Sequence, residues 1–285
     1  MMTSTQAYGL LEEGDWADRM RGTTLHYRLW RPAQLRVLTV LIHGFGEHGG
    51  RYQEVAKVLT AHGIAVAAPD LPGHGRSSGA RGEIGEVTRC VQSIQQLTAQ
   101  VFLPWAGQPR YAVYGHSFGG LVAIHYGLAR PQGLRRLVVQ SPLLEPGFPI
   151  PKWKTALAAI LGACLPQVAL SMDLETNALS HDAAVVEAYR ADALVHGVIT
   201  AGSYQSILRA RDEAFARTGE LRTPLLLVCG SDDRIVSVEV ARRWFRLLQG
   251  EKREVLFPGA YHELHHEAVR DELFRVVREW ILADA

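Results

Sequence analysis

The amino-acid sequence predicts an α/β fold in which helices flank a mostly parallel sheet and a helical cap interrupts the core. Three observations support this fold class. Apolar runs of strand length alternate with longer helical patterns, several of these runs are continuously apolar, and one long segment breaks the alternation. A strand buried on both faces reads as a continuous apolar run, and alternating β and α segments are typical of a parallel sheet.

These patterns place the individual strands and helices of the core. We predict strands at Leu25–Trp30, Val37–Ile42, Ala65–Ala68, Tyr111–Tyr114, Leu137–Gln140, Leu225–Cys229 and Glu254–Phe257. We predict helices at Gln53–Ala61, Glu86–Gln100, Leu121–Ala129, Val238–Leu248 and Glu267–Ala283. In sheets of this kind the functional groups collect at the carboxyl ends of the strands.

Residues 145–221 contain no strand-like run, so we expect this segment to be helical. Its helical patterns cover Trp153–Leu165, Ala183–Leu194 and Ser203–Arg217. A helical block between two core strands is typical of an inserted cap. We therefore expect residues 1–144 and 222–285 to form the core and residues 145–221 to form a cap, or lid.

Composition and charge narrow the class of protein. The 285 residues are 47% hydrophobic and carry a net charge of +1, which suits a globular core and gives no reason to expect a nucleic-acid partner. The uncharged stretch Thr155–Met172 has a low apolar density, so we expect a buried or interfacial helix rather than a membrane span. The sequence does not determine the oligomeric state.

The cysteines and the N-terminal residues indicate the cellular compartment. Cys90, Cys164 and Cys229 lie far apart, which argues against a disulfide framework and against a structural zinc site. The first residues lack a basic segment followed by an apolar run, so no signal peptide is expected. We therefore expect a cytoplasmic protein.

A G-x-S-x-G motif follows the predicted strand Tyr111–Tyr114, with a helix after it. In this strand–turn–helix setting Ser117 is the candidate nucleophile, because the sharp turn exposes its hydroxyl above the sheet. Gly115 and Gly119 give the turn the room that larger side chains would fill. The backbone N–H groups after Ser117 lie at a helix N-terminus, where they can bind an anion.

A serine nucleophile needs a base and an acid that orients the base, and with such an elbow these follow in the order acid, then histidine. Asp232 and Asp233 both lie just after the predicted strand Leu225–Cys229, and either could be the acid, with Asp233 favoured. His262 follows the last predicted strand and is the preferred base, with His265 and His266 as nearby alternatives.

The stretch from His262 to His266 also satisfies the H-E-x-x-H pattern of zinc proteases. That chemistry needs both histidines on one helical face, and here Pro258 and Gly259 indicate a loop that enters a helix. We therefore expect no metal site, and His265 and His266 are interpreted as polar residues at a helix N-terminus.

Two backbone N–H groups should bind the oxyanion of the reaction. One is the N–H of Phe118, directly after the nucleophile. The second is expected from the glycine-rich loop after the predicted strand Val37–Ile42, where Phe45 is well placed to donate.

Five motifs, spread over a region from about Leu25 to Trp280, carry a family resemblance. They are His43-Gly-Phe-Gly-Glu-His-Gly-Gly-Arg-Tyr52, Asp70-Leu-Pro-Gly-His-Gly-Arg-Ser-Ser-Gly79, Gly115-His-Ser-Phe-Gly-Gly120, Gly230-Ser-Asp-Asp-Arg234 and Gly259-Ala-Tyr-His262. Together they resemble the monoacylglycerol lipase/lysophospholipase branch of the α/β-hydrolases, also described as serine aminopeptidase S33-like.

This resemblance implies roles for several residues. The family's acid is the Asp directly before Arg or His in the Gly-x-x-Asp loop, which selects Asp233. By resemblance, Glu47 and Arg51 brace the oxyanion loop and the substrate pocket, and His116 contacts the alcohol part of the substrate. The apolar helix Trp153–Leu165 would form an acyl tunnel and a transient membrane contact; the alternative is that it packs onto the core.

The resemblance implies a hydrolase that releases a fatty acid from monoacylglycerol through an acyl-enzyme, with a small acyl ester as substrate and no cofactor. Alternatives with the same triad are a lysophospholipase, a short-chain carboxylesterase, an aminopeptidase and an acyltransferase. A non-catalytic binding module on the same fold is the alternative from another class.

Overall fold

An eight-stranded sheet forms the centre of the computed structural model, which describes residues 10–149, 151, 153, 160–172 and 174–283. The sheet contains β1 (Leu10–Asp18), β2 (Thr23–Arg31), β3 (Val37–Ile42), β4 (Ile64–Pro69), β5 (Tyr111–His116), β6 (Leu134–Gln140), β9 (Leu225–Gly230) and β10 (Lys252–Phe257). A separate two-stranded ribbon pairs β7 (Ala169–Ser171) with β8 (Val198–Thr200).

The strand order in the large sheet is β1-β2-β4-β3-β5-β6-β9-β10. The strands from β4 to β10 in this order run parallel, while β1 and β2 form an antiparallel edge. The predicted α/β architecture with a mostly parallel sheet is confirmed. Because the parallel strands share one direction, their carboxyl ends meet at one edge, where the loops after β3, β5, β9 and β10 come together.

Helices on both faces of this sheet and in the segment 145–221 complete the fold. They are α1 (Gln53–Thr60), α2 (Val87–Leu97), α3 (Leu103–Ala106), α4 (Phe118–Leu128), α5 (Ala183–Ala191), α6 (Ala201–Ala216), α7 (Val238–Leu247) and α8 (Arg270–Leu282). Two buried clusters result, one with α2, α4 and α7 and the other with α1 and α8. Strand β3 shows why the apolar runs are continuous, because both of its faces are buried. Leu38 and Val40 belong to the first cluster, whereas Val37 and Leu41 belong to the second.

Strand β1 was not expected from the sequence, which predicted Leu25–Trp30 as the first strand. Three of its residues, Glu12, Glu13 and Asp15, are acidic and exposed. Charged side chains suit an edge strand, which pairs on one side only, but they hide it from a search for apolar runs.

The expectation that residues 145–221 contain no strand is wrong, since β7 and β8 both lie in this segment. Each has only three residues, too few for a recognisable alternation. Helix α6 packs onto the core, where the carbonyl of Ala210 is 2.8 Å from Nε2 of His125 and the carbonyl of Ala214 accepts from the indole of Trp244. Of the predicted helix Trp153–Leu165, residues 154–159 lie outside the described residues, and residues 160–164 are helical.

Candidate active site

Ser117 occupies the sharp turn between β5 and α4. Its φ of 56° and ψ of −118° are rare for a residue with a side chain, as a strained nucleophile elbow requires. A Cβ at Gly115 would collide with the carbonyl of Gly119, and a Cβ at Gly119 with the carbonyl of Ile42. Both glycines are therefore sterically required for α4 to lie this close to β3 and β5.

Backbone hydrogen bonds hold this turn in place. The N–H of Ser117 donates to the carbonyl of Gln140 at 2.9 Å, and the carbonyl of Ser117 accepts from Gly120 and Leu143, each at 2.9 Å. The bond from Gly120 to Ser117 already forms the first turn of the helix, so α4 begins at Phe118 rather than at the predicted Leu121. The candidate nucleophile is thus fixed to the carboxyl end of β6 as well as to its own strand.

Asp233 lies on the loop after β9 and contacts His262, on the loop after β10. Its Oδ2 is 2.7 Å from Nδ1 of His262, and both side chains are buried. Its Oδ1 accepts from the N–H groups of Ile235 and Val236. These bonds fix the carboxylate, which in turn keeps the proton of His262 on Nδ1 and leaves Nε2 free to act as a base.

The charges of Asp233 and His262 stabilise each other. Burial by itself would raise the pKa of Asp233, but the nearby His262 and the backbone N–H donors hold it below its ordinary value. Burial would lower the pKa of His262, but Asp233 raises it above its ordinary value. The pair therefore favours an ionised acid and stabilises the imidazolium that forms when His262 takes a proton.

The alternative residues for the acid and the base have other partners. Asp232 is exposed and accepts from the hydroxyl of Ser231 at 2.6 Å. His265 is buried, stacks on the ring of Tyr52 and lies 3.1 Å from the amide of Gln140 through Nδ1. His265 and His266 lie in a short 3₁₀ turn and α8 begins only at Arg270, so their interpretation as polar residues at a helix N-terminus is wrong.

The glycine-rich loop after β3 lies beside Ser117. A Cβ at Gly44 would be 3.3 Å from the Cβ of Ser117, so this backbone directly borders the hydroxyl-bearing residue. The rings of Phe45 and Phe118 pack edge-on at 5.4 Å between centroids. The two residues predicted as oxyanion donors therefore adjoin each other and flank Ser117.

Glu47 and Arg51 belong to a buried ion-pair network. Glu47 accepts from the N–H of Gly44 at 2.6 Å and pairs with Arg51 at 2.5 Å. The guanidinium of Arg51 also binds both carboxylate oxygens of Glu263, at 2.6 and 2.9 Å. Burial would raise the pKa of both carboxyls, but Arg51 holds each below its ordinary value. The side chains of Glu47 and Arg51 are therefore both bound to other groups of the protein.

His116 links the same network to the loop that carries His262, the candidate base. Tyr52 donates its single proton to Glu47 at 2.7 Å, so its oxygen accepts from Nδ1 of His116 at 2.8 Å. The other nitrogen of His116 lies 3.4 Å from the carbonyl of His262. His116 is 2% exposed, and both of its nitrogens face protein groups.

The H-E-x-x-H pattern does not place its histidines on one helical face. His262 lies in a loop, and the following 3₁₀ turn covers only Leu264–His266. Among the described residues, Glu263, His265 and His266 bring ligand atoms within 4.8 Å of one another. Because Arg51 already occupies both oxygens of Glu263, this group is poorly suited to a cation.

Sequence reasoning did not identify three residues that contact the candidate site. Tyr52 and Glu263 belong to motifs quoted above but were given no role, and only their burial and hydrogen bonds reveal that they join the network. Asp192, in the segment predicted to form the cap, lies 2.8 Å from the imidazole of His48. Its partner is 144 residues away in sequence, so no local pattern could have indicated the contact.

A search against known protein families matches residues 33–269 to the family described as serine aminopeptidase, S33. A monoacylglycerol lipase of Mycolicibacterium smegmatis is 32% identical over 92% of this chain and 94% of its own length. An uncharacterised abhydrolase domain-containing protein of Dictyostelium discoideum is 34% identical over 90% of this chain, which spans only 28% of that protein.

The fold agrees with these relationships. The crystal structure of a monoacylglycerol lipase from Paleococcus ferrophilus superposes with a TM-score of 0.79 at 30% identity, covering 97% of this chain and all of that one. The predicted family and hydrolase class are confirmed. The chain belongs to the serine aminopeptidase S33 family of α/β-hydrolases, in the branch that contains the monoacylglycerol lipases, and is a serine hydrolase.

Proposed function

We propose that this protein hydrolyses carboxylic esters through an acyl-enzyme on Ser117, and that its substrate is a monoacylglycerol. One observation carries the proposal. The buried Asp233–His262 pair lies on the loops after β9 and β10, at the same sheet edge as the strained Ser117 elbow. An acid–histidine pair beside a serine hydroxyl is the arrangement that makes that hydroxyl nucleophilic.

In this reaction the Oγ of Ser117 attacks the ester carbonyl carbon while its proton passes to Nε2 of His262. The N–H groups of Phe45 and Phe118 bind the oxyanion of the tetrahedral intermediate. His262 returns the proton to the leaving alcohol as the C–O bond breaks. Water then repeats the sequence, with His262 as base, and releases the fatty acid.

The monoacylglycerol substrate is inferred from the relatives from Mycolicibacterium smegmatis and Paleococcus ferrophilus, both described as monoacylglycerol lipases. The contacts that Glu47 and Arg51 make within the protein favour a substrate with an uncharged headgroup. Arg51 is saturated by two carboxylates, so it offers no free cation to a lysophospholipid phosphate. Glu47 is equally engaged, so it offers no free carboxylate to the amine of a peptide.

We further propose that the cap contacts membranes transiently. Phe148, Trp153, Ile160 and Leu165 are large apolar side chains of the cap with exposures between 44 and 65%. Exposed apolar side chains grouped on one segment are typical of an interfacial contact. No described helix is long and apolar enough to cross a membrane.

A cytoplasmic location remains our proposal. It is supported by Cys90, Cys164 and Cys229, which are all free thiols. Free thiols persist most readily in a reducing compartment.

The test measures fatty-acid release from a monoacylglycerol, with lysophosphatidylcholine and a short p-nitrophenyl ester as comparison substrates. Wild type and Ser117→Ala are assayed with and without chelator. We expect monoacylglycerol to be the best substrate, the chelator to have no effect, and Ser117→Ala to lose all but residual activity.

Other results would lead to different conclusions. Cleavage of the short ester alone would retain the triad but reject the lipid substrate. Full activity in Ser117→Ala, or loss of wild-type activity with chelator, would reject the proposed mechanism.

A further inference from the structure

The oxyanion loop, residues 43–50, is held from the cap as well as from the core. A segment of the cap, residues 192–197, crosses it directly, and we call this segment the cap strap. It follows helix α5 and leads into β8, which pairs with β7 in the two-stranded ribbon. Three separate contacts join the strap to the oxyanion loop.

The first contact is between backbones. The N–H of His196 donates to the carbonyl of Gly46 at 2.8 Å. Gly46 has a φ of +79°, and a Cβ there would collide with the carbonyl of His196. Only glycine therefore lets the two chains approach so closely, one residue after the predicted oxyanion donor Phe45.

The second contact is the hydrogen bond between Asp192 and His48. Nδ1 of His48 accepts from the N–H of Gly50, so the ring carries its proton on Nε2 and donates it to Oδ2 of Asp192 at 2.8 Å. The other oxygen of Asp192 accepts from the N–H of Leu194, also at 2.8 Å. One carboxylate thus fixes the start of the strap and, at the same time, the end of the oxyanion loop.

The third contact is made by aromatic rings. The ring of Phe45 lies between Phe118 on the nucleophile elbow, at 5.4 Å, and His196 on the strap, at 6.1 Å between centroids. The ring of His74 also packs edge-on against Phe45, at 4.7 Å, so a displaced strap would remove one of three aromatic groups around Phe45. The backbone N–H of Phe45 would then lose its fixed direction.

From these contacts we infer that Asp192 is a positioning residue for catalysis, which acts through His48 and the cap strap to hold the oxyanion loop in its donor geometry. The inference rests on the proposed function, in which Phe45 donates to the oxyanion. It predicts that the cap is required for turnover even of substrates too small to touch it. A misplacement of about 1 Å in such a donor can reduce a rate about 100-fold.

The test uses p-nitrophenyl acetate and compares wild type with Asp192→Asn. Active sites are titrated with an organophosphonate, so that kcat refers to competent enzyme only. We expect kcat to fall at least about tenfold, which is less than the roughly 10²–10³-fold loss on removal of an oxyanion donor because the donor is only displaced, while KM changes less than about twofold. The inhibition constant of a trifluoromethyl ketone, whose adduct carries an oxyanion, should rise by a similar factor.

Asp182→Asn is the matched control. Asp182 also belongs to the cap and caps the start of α5 by accepting from Ala184, but it does not contact the oxyanion loop. We expect an unchanged kcat per titrated site in this variant. An equal loss in both variants, or an unchanged kcat in Asp192→Asn, would overturn the positioning role.

Two further variants keep the test decisive if Asp192→Asn is unstable. His48→Ala removes the same hydrogen bond from the core side and should reduce kcat to a similar extent, and the double variant should be no worse than either single one. Gly46→Ala should displace the strap and reduce kcat as well. Additive losses would contradict a shared mechanism, whereas a wild type that cleaves no ester would reject the proposed function itself.

Discussion

Asp233 and His262 are joined by a 2.7 Å hydrogen bond at a sheet edge, with 0% and 3% of their side chains exposed. Burial alone would disfavour both charged forms, yet each partner stabilises the charge of the other. The pKa of His262 therefore lies above its ordinary value. Since catalysis needs the neutral imidazole, activity should decline as the pH falls through this raised pKa.

Replacing Asp233 by Asn should lower kcat by about 10⁴-fold, because the orienting acid is lost. It should also move the acid limb of the kcat/KM profile to lower pH, because the interaction that raises the pKa of His262 disappears. The measurement is a pH–rate profile on a soluble ester. Asp232→Asn is the control and should leave both quantities unchanged, and an unmoved acid limb in Asp233→Asn would contradict the assigned pair.

Replacing Arg51 by Met should destabilise the protein by about 3–5 kcal/mol, because two buried carboxylates lose their shared cation. In the wild type Arg51 lowers the pKa of Glu47 and of Glu263, so this stabilisation is present above their unfolded pKa values and is lost as the pH falls through the folded ones. In the variant both pKa values should rise.

The loss of stability of Arg51→Met relative to the wild type should therefore be largest near neutral pH and should become smaller in acid. Thermal unfolding at several pH values measures it. Arg275→Met is the control, because Arg275 makes exposed ion pairs with Glu272 and Glu279, and its Tm should stay the same. If Arg51→Met lost more stability in acid than at neutral pH, the proposed ion pairing of Arg51 with Glu47 and Glu263 would be rejected.

Replacing Gly119 by Ala should destabilise the protein by about 1–3 kcal/mol or more, although alanine is the better helix former. The added Cβ would meet the carbonyl of Ile42, a backbone atom that cannot rotate away. The Tm should fall by about 2–4 °C for each kcal/mol. Gly219→Ala, where nothing lies within 4 Å of the added Cβ, should leave the Tm nearly unchanged.

Replacing Ile160 and Leu165 together by Ser should weaken binding to phosphatidylcholine vesicles at least about tenfold, because each buried side chain of this size contributes about 1.5–3 kcal/mol. Hydrolysis of a soluble ester should not change. Vesicle cosedimentation measures the difference, and Leu247→Ser, at an exposed leucine outside the cap, is the control. Equal vesicle binding by all three proteins would reject the membrane contact.

The alternation of apolar runs and helical patterns was sufficient to predict the sheet, because strands buried on both faces must be apolar throughout. The spacing of motifs after β3, β5, β9 and β10 was sufficient to predict which residues gather at one sheet edge. Both inferences depend on short stretches of sequence and on a topology that parallel strands impose. Strands β1, β7 and β8 were missed, because a polar edge strand and three-residue strands leave no such pattern.

The tertiary structure alone decided how those residues are connected. The sequence showed Glu47 and Arg51 as an i, i+4 pair, but not that Glu263 completes a buried ion-pair network 212 residues further on. It likewise could not indicate that Asp192 contacts His48 or that the backbone of His196 lies against Gly46. Hydrogen bonds and ion pairs between distant segments depend on where the fold places single atoms, whereas periodicity and motif spacing are local properties of the chain.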